Sequence, residues 1–408
     1  MVIMSFVKNL YRTYSISLII LSTQLWINFT SYYYTNVFSM ESVLYINNRL
    51  LLFFLFQITL LEFLPGNKYC GPIPTDNRQI TPVYKENGVK SFILTCLITQ
   101  FCISIDVLNP LVIYFNVGIV WGLLNIYTLI LCFYLLITIP SCFCDYFHNL
   151  NIIENFYIGQ ELYPIFHNLN IKFIINCRIG MMLWATLLII YINSQYIMYR
   201  KSNPAMKVNF ILQMIYIFKF FYCEKGYTNS LNIMHDKAGY YICWCYLVLV
   251  PSFYTLSSYH LVSYKGTNSE NSKILLFTGL LGIILTYWID YQKKLFRETN
   301  GKCKIFGKRP KYLNVFYLDN HDRHQTNKLL LSGFWCISKH FNYVTELIVA
   351  YSWCLCCSNS IHRYMYPIFL TGFLLHRAER DSERCNNKYF NWHRYCEIIK
   401  YKMIPGIY

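Results

Sequence analysis

Apolar runs approaching or exceeding the ~20 residues that carry a helix across a bilayer recur along nearly the whole chain, and no other feature limits its fold as tightly. MMLWATLLIIYI, residues 181–192, is the centre of one such run. The pattern predicts spans at about 14–36, 45–64, 90–106, 108–140, 178–198, 208–222, 239–262, 273–290 and 330–357, with a shorter one at about 364–375. The stretch 108–140 is long enough for one tilted helix or for a pair. The expectation is an all-α, polytopic membrane protein of about ten transmembrane helices. Membrane β-barrels show short segments of alternating polarity, whereas these runs are continuous.

The charge balance fits that class. Charged residues make up 14% of the chain, against roughly 25% in soluble domains. A net charge of +16 raises the question of nucleic acid, but the basic residues lie mainly between and behind apolar runs, where the positive-inside bias puts them. The connection 291–328 opens with YQKKLFRETNGKCKIFGKRPK and predicts a cytosolic face. So does the basic C-terminal stretch, HRAERDSERCNNKYF and beyond. Lys8 and Arg12 precede an apolar run from Tyr14, which reads as a retained first helix behind a short tail, residues 1–13. The remainder, 14–408, reads as a single integral-membrane domain. The 17 cysteines are scattered through apolar runs, where free cysteine behaves as a small hydrophobe. Cys354 and Cys357 form a lone CxxC without the second pair of a zinc site, so no metal is expected.

Ionisable residues in or beside apolar runs are the next signal, because charge at bilayer depth usually faces a cavity or a partner. They are Glu161 in GQELYP, Arg178 in NCRIG, His235 and Asp236 in NIMHDKAGYYICW, and Glu346 in HFNYVTELIVAYSW. Each also fits an interfacial position. Together, in a chain with 20 acidic residues, they point to a polar pocket.

Three C-terminal blocks carry a resemblance: LLLSGFWCISKHFNYVTEL, LLHRAERDSERCNNKYFNWHRYC and YKMIPGIY. They are similar to the signatures of the sterol reductases, the family of sterol C-14, C-24(28) and delta-7 reductases that also includes the membrane part of the lamin B receptor. LPGNKYCGPI, NFYIGQELYP, NCRIGMMLWA, HDKAGYYICW and FRETNGKCKIFGKRP resemble the delta-7 branch. The chain departs from the family pattern at Ile165, Cys336, Lys339, Ser382 and Phe390.

The resemblance implies NADPH as hydride donor and, as substrate, a delta-5,7 sterol arriving from the bilayer, reduced at its carbon 7–8 double bond. It also implies an endoplasmic reticulum membrane location with a cytosol-facing cofactor pocket in the C-terminal half, from about residue 223. No Rossmann fingerprint is present. By resemblance the cofactor residues are Lys293, Arg297, Leu330, Trp335, Asn342, Tyr343, Arg377, Asp381, Cys385, Asn386, Asn387, Lys388, Tyr389 and Tyr395. Lys293 and Arg297, four apart, share a helix face and suit phosphate, although an ordinary basic flank has the same spacing. Glu161, His235 and Asp236 are the candidate proton donors. A sister reductase acting at carbon 14 or 24(28), or a non-catalytic sterol-binding protein, remains an alternative.

Overall fold

The computed structural model describes residues 2–36, 38–71, 81–138, 151–167, 169–265, 269–318, 323–356 and 361–408. The described residues are mostly helical and fall into two compact units, one of residues 1–202 and 213–262, the other of residues 203–212 and 263–408.

Among the described residues, five helices are long and apolar enough to cross a bilayer: Met40–Phe63, Val117–Thr138, Ile171–Tyr199, Tyr240–Val262 and Asn271–Glu298. Gly88–Ser104 is a shorter apolar helix. The run 108–140 resolves into a pair, Pro110–Phe115 and Val117–Thr138; residues 139 and 140 lie outside the described residues, as does Cys357 of the CxxC. Pro110 starts its helix at a position that needs no N–H, and the Asn109 side chain caps Leu111 N and Val112 N.

In the first unit, Ile171–Tyr199 and Tyr240–Val262 are buried along most of their length. Each contains a π-helical stretch, Ile174–Gly180 and Cys245–Leu249. Gly180 lies where these stretches meet: a Cβ there would collide with the Tyr246 carbonyl. NCRIG therefore ends in glycine because backbone must pass against backbone. Gly159, at φ +92°, abuts the Ala238–Gly239 backbone in the same way. Ala238 N donates to the Glu161 carbonyl at 3.0 Å, so the GQEL and HDKAG loops are stitched together.

The second unit corrects two expectations. Residues 330–357 do not form one span. Leu330 ends a strand, Gly333–Cys336 is a 3-10 turn, and the helix is Phe341–Cys354, about 21 Å long at 1.5 Å per residue. Nor is the unit purely helical: Tyr312–Leu318 pairs antiparallel with His324–Leu330, from Tyr312↔Leu330 to Leu318↔His324. The basic stretch behind the last apolar run is also no loose flank. Helix His362–Lys388 runs through it, with Pro367 in its apolar part. The helix Ser269–Glu298 extends past its apolar stretch as well. It stops where Asn300 (φ 50°) and Gly301 (φ 84°) turn left-handed, and Gly301 N donates to Phe296 O at 2.9 Å. That turn is the TNG of FRETNGKC.

Candidate functional site

The second unit gathers most of the expected cofactor residues. Arg377, Asp381, Arg384, Cys385 and Lys388 recur at intervals of three and four along His362–Lys388, and so share one face. Asp381 Oδ1 accepts from Arg384 Nη2 at 2.8 Å, and Asp381 Oδ2 lies 3.8 Å from His340 Nε2. His340 stacks on Tyr343, with ring centroids 4.8 Å apart and planes 11° from parallel. Lys293 lies over the Trp335 ring, 4.1 Å from its centroid, while Trp335 Nε1 donates to Ile289 O at 3.0 Å. The indole is thus pinned to the helix that carries Lys293 and Arg297. Asn342 Nδ2 donates to Asp290 Oδ1 at 3.1 Å. Asn342 Oδ1 is buried and has no hydrogen-bond partner among the described residues.

Burial and charge set the ionisation of this cluster. Burial pushes the His340 imidazole down to about 4, against the pull of Asp381. Burial alone would raise Asp381, but Arg384, His340 and Lys293 outweigh it and hold the carboxyl below its usual value. Burial pushes the Cys385 thiol up to about 11. At neutral pH the cluster therefore presents a carboxylate, a neutral imidazole and several cations. Among the named residues, Lys293, Arg297, Arg377, Arg384 and Lys388 outnumber Asp290 and Asp381, leaving surplus positive charge.

The remaining expected residues support this face. Leu330 packs with Ile289, Phe296, Cys303, Ile305 and Trp335. Cys385 and Tyr395 pack with Trp392 and Ile399, and Tyr389 lies against them. Asn327 Nδ2 donates to the Tyr389 hydroxyl at 3.0 Å, and Lys388 sits over Tyr317, 4.6 Å from its centroid. Asn386 and Asn387 are exposed.

The departures from the family pattern are accommodated locally. Lys339 donates to Cys396 Sγ at 3.1 Å. Cys336 is exposed and donates to Gly333 O at 3.0 Å. Ile165 and Phe390 are exposed, and Ser382 is half-buried.

The first unit holds the three candidate acids. Asp236 is buried, and its carbonyl accepts from Lys172 Nζ at 2.6 Å. Lys172 is fully buried and also donates to the carbonyls of Ile233 at 2.8 Å and Asn232 at 3.3 Å. It thereby fastens the loop that carries His235 and Asp236. His235 is half-buried. Glu161 is half-buried too, in a small cleft lined by Cys132, Asn155, Phe156, Gln160, Pro164 and Ala238. Arg178 pairs with Glu224, both fully buried; Nη2 donates to Asn87 Oδ1 at 2.8 Å, and Glu224 Oε2 accepts from Gly88 N at 3.1 Å.

Sequence reading did not single out Asp290, His340, Lys172 or Glu224. Asp290 had a signal: it lies three and seven residues before Lys293 and Arg297, on the same helix face. Glu224 and Lys172 had none, because their partners are 46 and 60 to 64 residues distant in sequence.

The whole chain, residues 1–408, matches the model of the family described as the Ergosterol biosynthesis ERG4/ERG24 family. It is 39% identical over 361 residues to a 7-dehydrocholesterol reductase of Arabidopsis thaliana, covering 86% of this chain and 83% of that protein. It is 34% identical over 262 residues to a 7-dehydrocholesterol reductase of Xenopus laevis, covering 63% and 55% respectively. A Delta(14)-sterol reductase of Methylotuvimicrobium alcaliphilum is 27% identical over 368 residues, covering 87% and 81%.

Proposed function

Because the chain belongs to the ergosterol biosynthesis ERG4/ERG24 family over its whole length, we propose that it reduces the carbon 7–8 double bond of delta-5,7 sterols, with NADPH as the electron source. The observation that carries the cofactor reading is the charged face of His362–Lys388. There Asp381 is held by Arg384 and lies beside His340, and it bears electrostatically on Lys293. Surplus cations suit phosphates, the Trp335 and Tyr343 rings suit a planar heterocycle, and the orphaned Asn342 Oδ1 suits a hydrogen-bond donor. The residues present therefore fit the dinucleotide. Lys293, Arg297, Arg377 and Lys388 would hold its phosphates, and Asp381 its ribose hydroxyls. When bound, NADPH supplies the hydride added at carbon 7.

This chain's own residues must do the rest. A carbon–carbon double bond with no carbonyl beside it accepts hydride poorly, so a proton has to reach carbon 8 first or in concert. Glu161, His235 and Asp236 are the proposed donors. Lys172 holds the His235–Asp236 loop through its carbonyls, which fixes the backbone from which those side chains project. The sterol is taken from the bilayer, in the endoplasmic reticulum membrane, with the cofactor face toward the cytosol.

The similarity to a Delta(14)-sterol reductase favours a second reading, reduction of a carbon 14 double bond. Expression in a yeast that accumulates delta-5,7 sterols separates the two. Loss of the conjugated-diene ultraviolet bands, with a product two hydrogens heavier by mass spectrometry, is the expected result. Intact diene together with reduction of a delta-14 sterol would overturn the delta-7 reading. In the same assay Asp236→Asn is expected to lose turnover while still binding NADPH; normal turnover would remove Asp236 from the proton path.

A further inference from the structure

Asn342 is half-buried and begins the helix Phe341–Cys354, and its amide is spoken for at one end only. Nδ2 donates to Asp290 Oδ1, whereas Oδ1 is covered and has no hydrogen-bond partner among the described residues. An asparagine amide can present either a donor or an acceptor to a ligand. A carboxylate at one end removes that freedom, because Oδ1 against Asp290 would set acceptor against acceptor. Asp290 thus determines that the group Asn342 offers is an acceptor. A buried acceptor left unmade costs about 1–3 kcal/mol, and a phosphate oxygen cannot relieve it. An N–H or O–H can.

We infer that Asp290 is a positioning residue for the cofactor: it holds the Asn342 amide so that Oδ1 accepts a hydrogen bond from a donor in the nicotinamide–ribose half of the molecule. This inference rests on the NADPH reading above. Asp290, Lys293 and Arg297 follow one another on a single helix face, over about 10 Å at 1.5 Å per residue. The helix therefore carries the anchor of the amide at one end of that face and cations for phosphate at the other. The donor is either the carboxamide N–H or a ribose hydroxyl. The 3-acetylpyridine analogue of NADPH distinguishes them, because a methyl group replaces its carboxamide nitrogen.

The test measures dissociation constants of NADPH and of that analogue with the purified full chain in detergent micelles. Asp290→Ala is expected to weaken NADPH binding about three- to tenfold, the range of one lost neutral hydrogen bond. Asp290→Asn keeps an acceptor at the same place and is expected to bind like the wild type. If the carboxamide is the donor, the wild type and Asp290→Asn bind the analogue several-fold more weakly than NADPH, and Asp290→Ala binds the two alike. If a ribose hydroxyl is the donor, Asp290→Ala weakens both ligands equally and Asp290→Asn restores both. Unchanged affinity in Asp290→Ala overturns the inference. So does an Asp290→Asn variant as weak as Asp290→Ala, since charge and not amide orientation would then be at work. If Asp290→Ala fails to fold, Asp290→Leu, similar in size and without an acceptor, takes its place and is expected to weaken NADPH binding by the same roughly three- to tenfold. A wild type that binds no NADPH overturns the cofactor reading itself and this inference with it.

Discussion

Arg178 and Glu224 in the first unit are both closed off from solvent, and their remaining polar atoms are largely taken up by Asn87 and Gly88. Asp381 and its neighbours in the second unit are half open, and cations there outnumber carboxylates. The two clusters use the same residue types. In the first, charge is neutralised within the protein, as burial demands. In the second, positive charge is left over, at a place with aromatic faces and an orphaned acceptor. The difference separates a cluster whose charges are spent on each other from one that keeps the surplus positive charge the proposed cofactor site needs.

That contrast can be broken by mutation. Glu224→Ala leaves the Arg178 guanidinium buried and unpaired, and about 3–5 kcal/mol of stability is expected to go with it. Thermal melting in micelles checks this; a melting temperature equal to the wild type's would show that the pair holds nothing together. Arg297→Ala should leave melting nearly unchanged, Asp381→Ala should lower it by less than Glu224→Ala does, and both should weaken NADPH binding by about ten- to a hundredfold, the range for hydrogen bonds to charged groups. Sterol binding should survive in both. Unchanged NADPH affinity in both variants would remove the charged face from the cofactor site.

A further comparison concerns pH. The His340 pKa in the folded chain is depressed from 6.5 to about 4. A depressed pKa contributes stability that is present above the unfolded value and lost as pH falls through the folded one. Asp381 is also depressed, from 3.8, so its contribution is lost only below that pH. Melting temperature should therefore decline between pH 6.5 and 4 from His340, and His340→Gln should flatten that decline. An equal slope in the variant would assign the loss to other groups.

Much of this was legible in advance. The apolar runs marked the bilayer-length helices, and the motif blocks pointed to the residues that the second unit brings together. The errors came where hydropathy was asked for more than it holds. Residues 330–357 are apolar enough to read as a span, yet SGFWCISKH contains a left-handed glycine and a 3-10 turn that aim Trp335 at Ile289. In HRAERDSERCNNK the apolar content stops, and the span expected at about 364–375 stops with it. Its three- and four-residue spacing continues, so the helix does too.

The amino-acid sequence by itself determined the class of protein, because a chain this apolar must place its long runs out of water. It also determined which local faces exist, since helical spacing puts Lys293 with Arg297 and Arg377 with Asp381. Only the tertiary structure decided which faces meet. His340 reaches Asp381 across 41 residues, Asp290 reaches Asn342 across 52, and Arg178 reaches Glu224 across 46. Such pairings depend on packing between helices far apart in sequence, and no local periodicity encodes them.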